Sequence, residues 1–209
     1  MTPQKLIECS KSIADRHAFL VRIIDELDPA SPDIESDDFK SDAFAEGIFL
    51  RAFTAYENDI EKLFLHYVTG GATLKGAIAR TYLSIQDEGH ARRLTKAGFR
   101  FLNWSRPNDI KNTAENYIEN GWPIVDMMAA KAQDLADCER VRNRIAHSSD
   151  EAIQKFNTVQ RNLLSTERLF TITPGQFLRI RNLRLKKLHI RHYVDVMNEM
   201  LIAIQDPPP

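Results

Sequence analysis

Cysteine is scarce in this chain. Only Cys9 and Cys138 occur in 209 residues, with no Cys-x-x-Cys pair and no Cys/His ligand spacing. That excludes a disulfide-stapled scaffold and leaves reduced, buried thiols in a cytoplasmic protein as the expectation. Glycine is sparse too, at eight residues, and none builds a phosphate-cradling loop or the strained turn around a nucleophilic serine. No ligand-spaced Asp, Glu or His accompanies His66 or His90. Nucleotide hydrolysis, acyl transfer and zinc chemistry are therefore not expected, and neither is a metal or other cofactor. Long apolar runs are missing: nothing approaches the roughly 18 uninterrupted residues of a membrane span. The start of the chain lacks the apolar core of a secretory leader. Neither sign of charge dominates, since 28 Lys and Arg stand against 29 Asp and Glu. Strict apolar–polar alternation over several segments is absent, and so is any repeat of about 20–50 residues.

What is present is helical patterning, and the fold class expected is all-α. A hydrophobic content of 43% and a charged content of 27% suit a globular domain. The length allows roughly 70% of the unfolded surface to be buried. One domain is expected over 1–205, with Asp206-Pro207-Pro208-Pro209 as a disordered tail. Residues 4–27 read as a first helix with Leu6, Ile13, Phe19, Leu20, Ile23, Ile24 and Leu27 on its apolar face. An acidic, proline-bearing loop follows over about 28–41. A second helix is predicted from Ser41 or Asp42 to Val68, ended by Gly70-Gly71. Its Phe49, Ala52, Phe53, Tyr56, Ile60, Leu63, Phe64 and Tyr67 recur at three- and four-residue spacing, the spine of a core. Patterning weakens over 71–104, where Gly76 to Ile85 reads either as a short helix or as an irregular segment. Helices are predicted over 87–102, 109–119, 123–147 and 151–164, and Thr171–Gly175 reads as an extended connection. A final helix is predicted from Gln176 to Gln205. Trp104 and Trp122 border turns and read as packing anchors, and His17 as a surface residue.

The segment that suggests chemistry is Arg142-Asn143-Arg144-Ile145-Ala146-His147, at the end of a predicted helix. An arginine keeps its charge at any working pH, and an imidazole titrates near neutrality. Together they are a minimal set for breaking a phosphodiester without a metal. A plainer reading stands beside it, because cations in a last turn also complement the negative end of the helix dipole, worth about 0.3–1 kcal/mol.

Arg142-Asn143 followed by Ala146-His147 resembles the Arg-x4–6-His motif of the HEPN superfamily. The aromatic helix Phe49–Tyr67 with Glu57 embedded, and Thr173-Pro174-Gly175-Gln176-Phe177-Leu178 before a basic terminal segment, resemble the RiboL-PSP or MAE-type branch. The motif covers six residues and the helical layout about 40–205. The resemblance implies a HEPN-type bundle with extra short helices and a long basic C-terminal helix. It implies a metal-independent endoribonuclease, acting as a homodimer with the two motifs facing each other. RNA brings its own nucleophile in the 2′-hydroxyl. His147 would move that proton or protonate the leaving 5′-oxygen. Arg142 would hold the scissile phosphate, and Asn143 would orient the imidazole or bond a phosphate oxygen. Products would be a 2′,3′-cyclic phosphate and a 5′-hydroxyl. A toxin or antiviral-defence setting, with an antitoxin or regulatory protein as partner, is implied by the resemblance alone.

A five-residue step on a helix turns about 140° net, so Arg142 and His147 diverge unless the helix loosens or a second subunit completes the site. Glu57 and Arg144 are the candidate supporting residues. Glu57 either pairs with Arg142 or bridges to Arg51, Lys62 or another surface cation. The terminal helix is basic, carrying Arg179, Arg181, Arg184, Lys186, Lys187 and Arg191 with no acid between Glu167 and Asp195. It reads either as an RNA-binding, phosphate-contacting face or as a solvated one. The alternative to an enzyme is a non-catalytic helical module that binds RNA or protein.

Overall fold

The computed structural model describes residues 3–27, 39–98, 104–164, 172–182 and 184–208. It is all-α. The described residues hold nine α-helices, one 3-10 turn at Glu119–Gly121 and one short two-stranded hairpin. The α-helices and strands are α1 (Pro3–Glu26), α2 (Phe39–Val68), α3 (Glu88–Gly98), α4 (Pro107–Tyr117), α5 (Ile124–Ala129), α6 (Ala132–Ala146), α7 (Asp150–Leu164), α8 (Pro174–Arg179), β1 (Arg181–Asn182), β2 (Lys187–Leu188) and α9 (His189–Gln205). No helix among them is long and apolar enough to cross a membrane.

Helices α2 and α9 form the centre, and the others pack around them. The aromatic stripe of α2 is buried as its spacing predicts: Phe49, Phe53, Tyr56, Phe64 and Tyr67 all lie in the core. Ring contacts join it to three other segments, with Phe49 against Tyr193 of α9 at 6.1 Å and Phe64 against Trp104 and Tyr117 at 5.3 and 5.9 Å. Tyr67 Oη donates to the Ile204 carbonyl at 2.7 Å. Each fully buried Phe contributes on the order of 1.5–3 kcal/mol. Helix α1 lies on α9 and presents Leu6, Ile13, Leu20 and Ile24 inward, while Phe19, expected on the same face, is half exposed.

Helix α8 is held tightly against the first turns of α2. Thr173 and Gln176 form a reciprocal capping box at its start. The Gly175 N–H donates to Glu46 Oε1 at 2.9 Å, and Arg179 Nη1 to Asp42 Oδ1 at 2.8 Å. A Cβ at position 175 would meet the Asp42 backbone oxygen at 2.6 Å, so this approach requires glycine.

Several boundaries differ from the sequence reading. Helix α2 begins at Phe39, so 39–41 are helical; the rest of the acidic loop, 28–38, lies outside the described residues. Helix α3 is described to Gly98, and 99–103 lie outside as well. The helix predicted over 123–147 is two, interrupted at Ala130-Lys131. Lys131 leaves the helical region (φ −121°, ψ 15°) and its Nζ reaches Glu199 on α9 at 2.9 Å. The run Ala129-Ala130-Lys131-Ala132 is made of good helix formers, so contact with α9 accompanies the break where local propensity gives no reason for it.

The final helix predicted from Gln176 is interrupted more deeply. Ile180 turns extended, β1 pairs antiparallel with β2, and α9 starts only at His189. Asn182 makes the turn: its Oδ1 accepts from the backbone N–H groups of Arg184 and Leu185 at 3.0 and 3.1 Å. Lys186 sits at φ +53° and closes the loop with a bond to the Asn182 carbonyl at 2.8 Å. At the far end, where a disordered tail was expected over 206–209, Pro208 is exposed and Pro209 lies outside the described residues. Lys75 Nζ lies 3.0 Å from Asp206 Oδ1, and Pro207 is buried.

Candidate functional site

Helix α6 runs regularly to Ala146 with Leu135, Cys138 and Val141 pointing inward, so Arg142 and Asn143 ride on a braced last turn. His147 is the C-cap. Its backbone is extended (φ −138°, ψ 141°), and its N–H donates to the Asn143 carbonyl at 2.9 Å. The helix therefore loosens at His147 itself, one residue before Ser148. Arg142, Asn143 and Arg144 are half-buried, and His147 is exposed.

The polar contacts run along one side of the helix. Arg142 Nη1 donates to Asn143 Oδ1 at 3.2 Å. Asn143 Nδ2 donates to Glu139 Oε1 at 3.4 Å, and that oxygen faces Arg106 Nε, at the start of α4, at 3.7 Å. Arg144 Nη1 donates to the His147 carbonyl at 3.4 Å. Burial pushes the Glu57 carboxyl up from its ordinary range and the Arg142 charge pulls it back, so the two sense each other across α2 and α6. Lys62, one of the alternative partners for Glu57, instead pairs with Asp59 at 3.2 Å.

These contacts join Arg142 to Asn143, while Glu57 feels the Arg142 charge with no hydrogen bond or ion pair between them among the described residues. They do not bring the His147 ring to Arg142: no hydrogen bond joins the two side chains among the described residues. Asn143 engages the guanidinium and not the imidazole. Glu139 was missed in the sequence reading, although it stands four residues before Asn143 and so on the same face.

The six cations of the terminal segment are dispersed. Arg179 ends α8, Arg181 is on β1, Arg184 and Lys186 are in the turn, Lys187 is on β2 and only Arg191 is on α9. They share no helical face, which corrects the basic-helix expectation. Acids also meet three of them, Asp42 and Asp25 from distant parts of the chain and Asp195 from nearby on α9. Arg179 pairs with Asp42; Lys187 Nζ and Arg191 Nε lie 2.7 and 3.0 Å from Asp195, and Arg191 Nη1 lies 2.9 Å from Asp25. Arg181 donates to the Lys186 carbonyl at 2.7 Å. Arg184 and Lys186 are exposed and carry no ion pair among the described residues.

Asp195 gathers a further contact. His17, expected at the surface, is half-buried and places Nε2 2.9 Å from Asp195 Oδ1. Burial works against the charge of Asp195, but bonds from Lys187, His17 and Arg191 outweigh it and hold the carboxyl below its usual range. His66 is buried with Nε2 2.8 Å from the Ala72 carbonyl, and Cys138 is a buried thiol whose pKa is raised by that burial. Both belong to packing.

No family model matches the chain, and neither a curated protein nor a solved structure shows significant similarity to it.

Proposed function

We propose that this chain is a metal-independent endoribonuclease, acting as a homodimer in the cytoplasm, as a toxin or defence effector restrained by an antitoxin or regulatory protein. The observation that carries the reading is the last turn of α6, where Arg142 and Asn143 sit side by side on a braced helix and His147 stands exposed directly after it. Arg142 offers a permanent charge and a planar donor set for a phosphate. His147 offers an accessible imidazole for proton transfer between the 2′-hydroxyl, the 5′-oxygen and water.

Because the Arg142 and His147 side chains are not bonded within one chain, the cleavage site in this reading is completed across a two-fold axis. Mixing two dead variants tests that arrangement. Arg142→Ala and His147→Ala, co-refolded, form heterodimers in which one of the two composite sites keeps both residues. Activity regained on mixing supports the shared site. Two inactive single variants that stay inactive as heterodimers rule it out.

A second reading, a non-catalytic module that binds RNA or protein, draws on a specific observation. Three of the terminal cations are neutralised internally, and Arg142 lies in the field of Glu57. A wild type that binds RNA tightly and leaves it intact would favour this reading.

A further inference from the structure

Among the described residues, Glu139 is the one acidic side chain bonded to the candidate motif. It lies one turn before Asn143 on α6, its side chain is 21% exposed, and Arg106 faces it from the start of α4. A carboxylate only accepts hydrogen bonds, whereas an asparagine amide has a donating end and an accepting end. Glu139 must therefore take the NH2 end of Asn143. That leaves Oδ1 free to accept from Arg142 Nη1, which it does at 3.2 Å.

We infer that Glu139 is a positioning residue: it fixes which way the Asn143 amide faces, and through Asn143 it sets the direction of the Arg142 guanidinium. The inference rests on the ribonuclease reading above. Arg106 ties the carboxylate to α4, so the pose of Arg142 is braced by two helices. Burial, with a smaller contribution from Asp109, raises the Glu139 carboxyl above its ordinary range, and the charges of Arg106, Lys155 and Arg140 act against that rise. If the amide reversed, its NH2 group would face the guanidinium donor to donor, and Arg142 would lose its side-chain anchor.

The test is a double-mutant cycle on a short RNA oligonucleotide in EDTA, with kcat and KM measured for wild type, Glu139→Gln, Asn143→Ala and the double variant. Glutamine keeps the size of the side chain and adds a donor, so the amide direction is no longer unique. We expect kcat to fall about tenfold in Glu139→Gln with KM changed less than about twofold, the signature of lost orientation. In the Asn143→Ala background the same substitution should cost nothing further, because its route is gone. Arg106→Gln, which loosens Glu139 from outside α6, should lower kcat in the same direction by less, and it serves if Glu139→Gln does not fold. Wild-type kcat in Glu139→Gln, or losses that multiply in the double variant, would overturn the positioning role alone. A wild type that cleaves nothing would overturn the ribonuclease reading and the role with it.

Discussion

His189 opens α9 and is fully buried, its ring stacked 4.5 Å from that of Phe177. Neither ring nitrogen has a hydrogen-bond partner among the described residues. Burial, with a smaller contribution from His192, lowers its pKa to about 4 from an ordinary 6.5. The unfolded chain therefore binds a proton on this residue at a pH where the folded chain does not. Stability is fully present above pH 6.5 and is lost as pH falls toward 4. The shift corresponds to about 3 kcal/mol in total, of which about 2 kcal/mol is lost between pH 7.5 and pH 5. His189→Leu removes the titrating group while keeping an apolar side chain against Phe177. Urea denaturation of both proteins at pH 7.5, 6 and 5 gives the difference in unfolding free energy at each pH. We expect that difference to move by about 2 kcal/mol in favour of the leucine variant between pH 7.5 and 5. Asp134, held below its usual range chiefly by the bond from His192, and Asp195 also weaken the fold in acid, but they do so in both proteins and cancel. Parallel pH profiles would refute the reasoning, since His189 would then titrate alike in the folded and unfolded chain.

Other outcomes are open to direct measurement. Gly175→Ala brings a Cβ within 2.6–2.7 Å of Asp42 backbone atoms. It should cost about 1–3 kcal/mol in urea denaturation by overpacking α8 on α2. Phe53→Ala, at a position 1% exposed in the core, should cost about 3–5 kcal/mol in the same assay. Thr173→Ala removes half of the capping box on α8 and should cost about 1 kcal/mol, seen as a lower denaturation midpoint with an unchanged slope.

How far the sequence reaches differs along the chain. The α2 spine was legible because one periodicity runs through Phe49, Phe53, Tyr56, Ile60, Leu63 and Tyr67, and all of them are buried. The break at Ala130-Lys131 was not, because no residue there disfavours helix; the Lys131 contact with Glu199 comes from an element about 70 positions away. The hairpin at 181–188 did leave a signal in Asn182. The apolar spacing of Leu178, Leu185, Leu188 and Val194 masked it by continuing a helical stripe across the turn. The candidate motif was legible because Arg142 to His147 is contiguous. Its surroundings were legible only in part: Asp195 stands four residues from Arg191, but Asp42 and Asp25, which pair with Arg179 and Arg191, stand 137 and 166 residues away, and no local pattern couples such positions. A run of cations without neighbouring acids is thus a statement about the chain and not about the folded surface.

The central claim is that Arg142 and His147 cleave RNA without a metal, and end-group analysis tests it most directly. Total and transfer RNA are incubated in EDTA with wild type and with His147→Ala, and the termini are identified. We expect 2′,3′-cyclic phosphate and 5′-hydroxyl ends from the wild type and intact RNA from the variant. Equal cleavage by both proteins, or none by a wild type that still binds RNA, would contradict the claim.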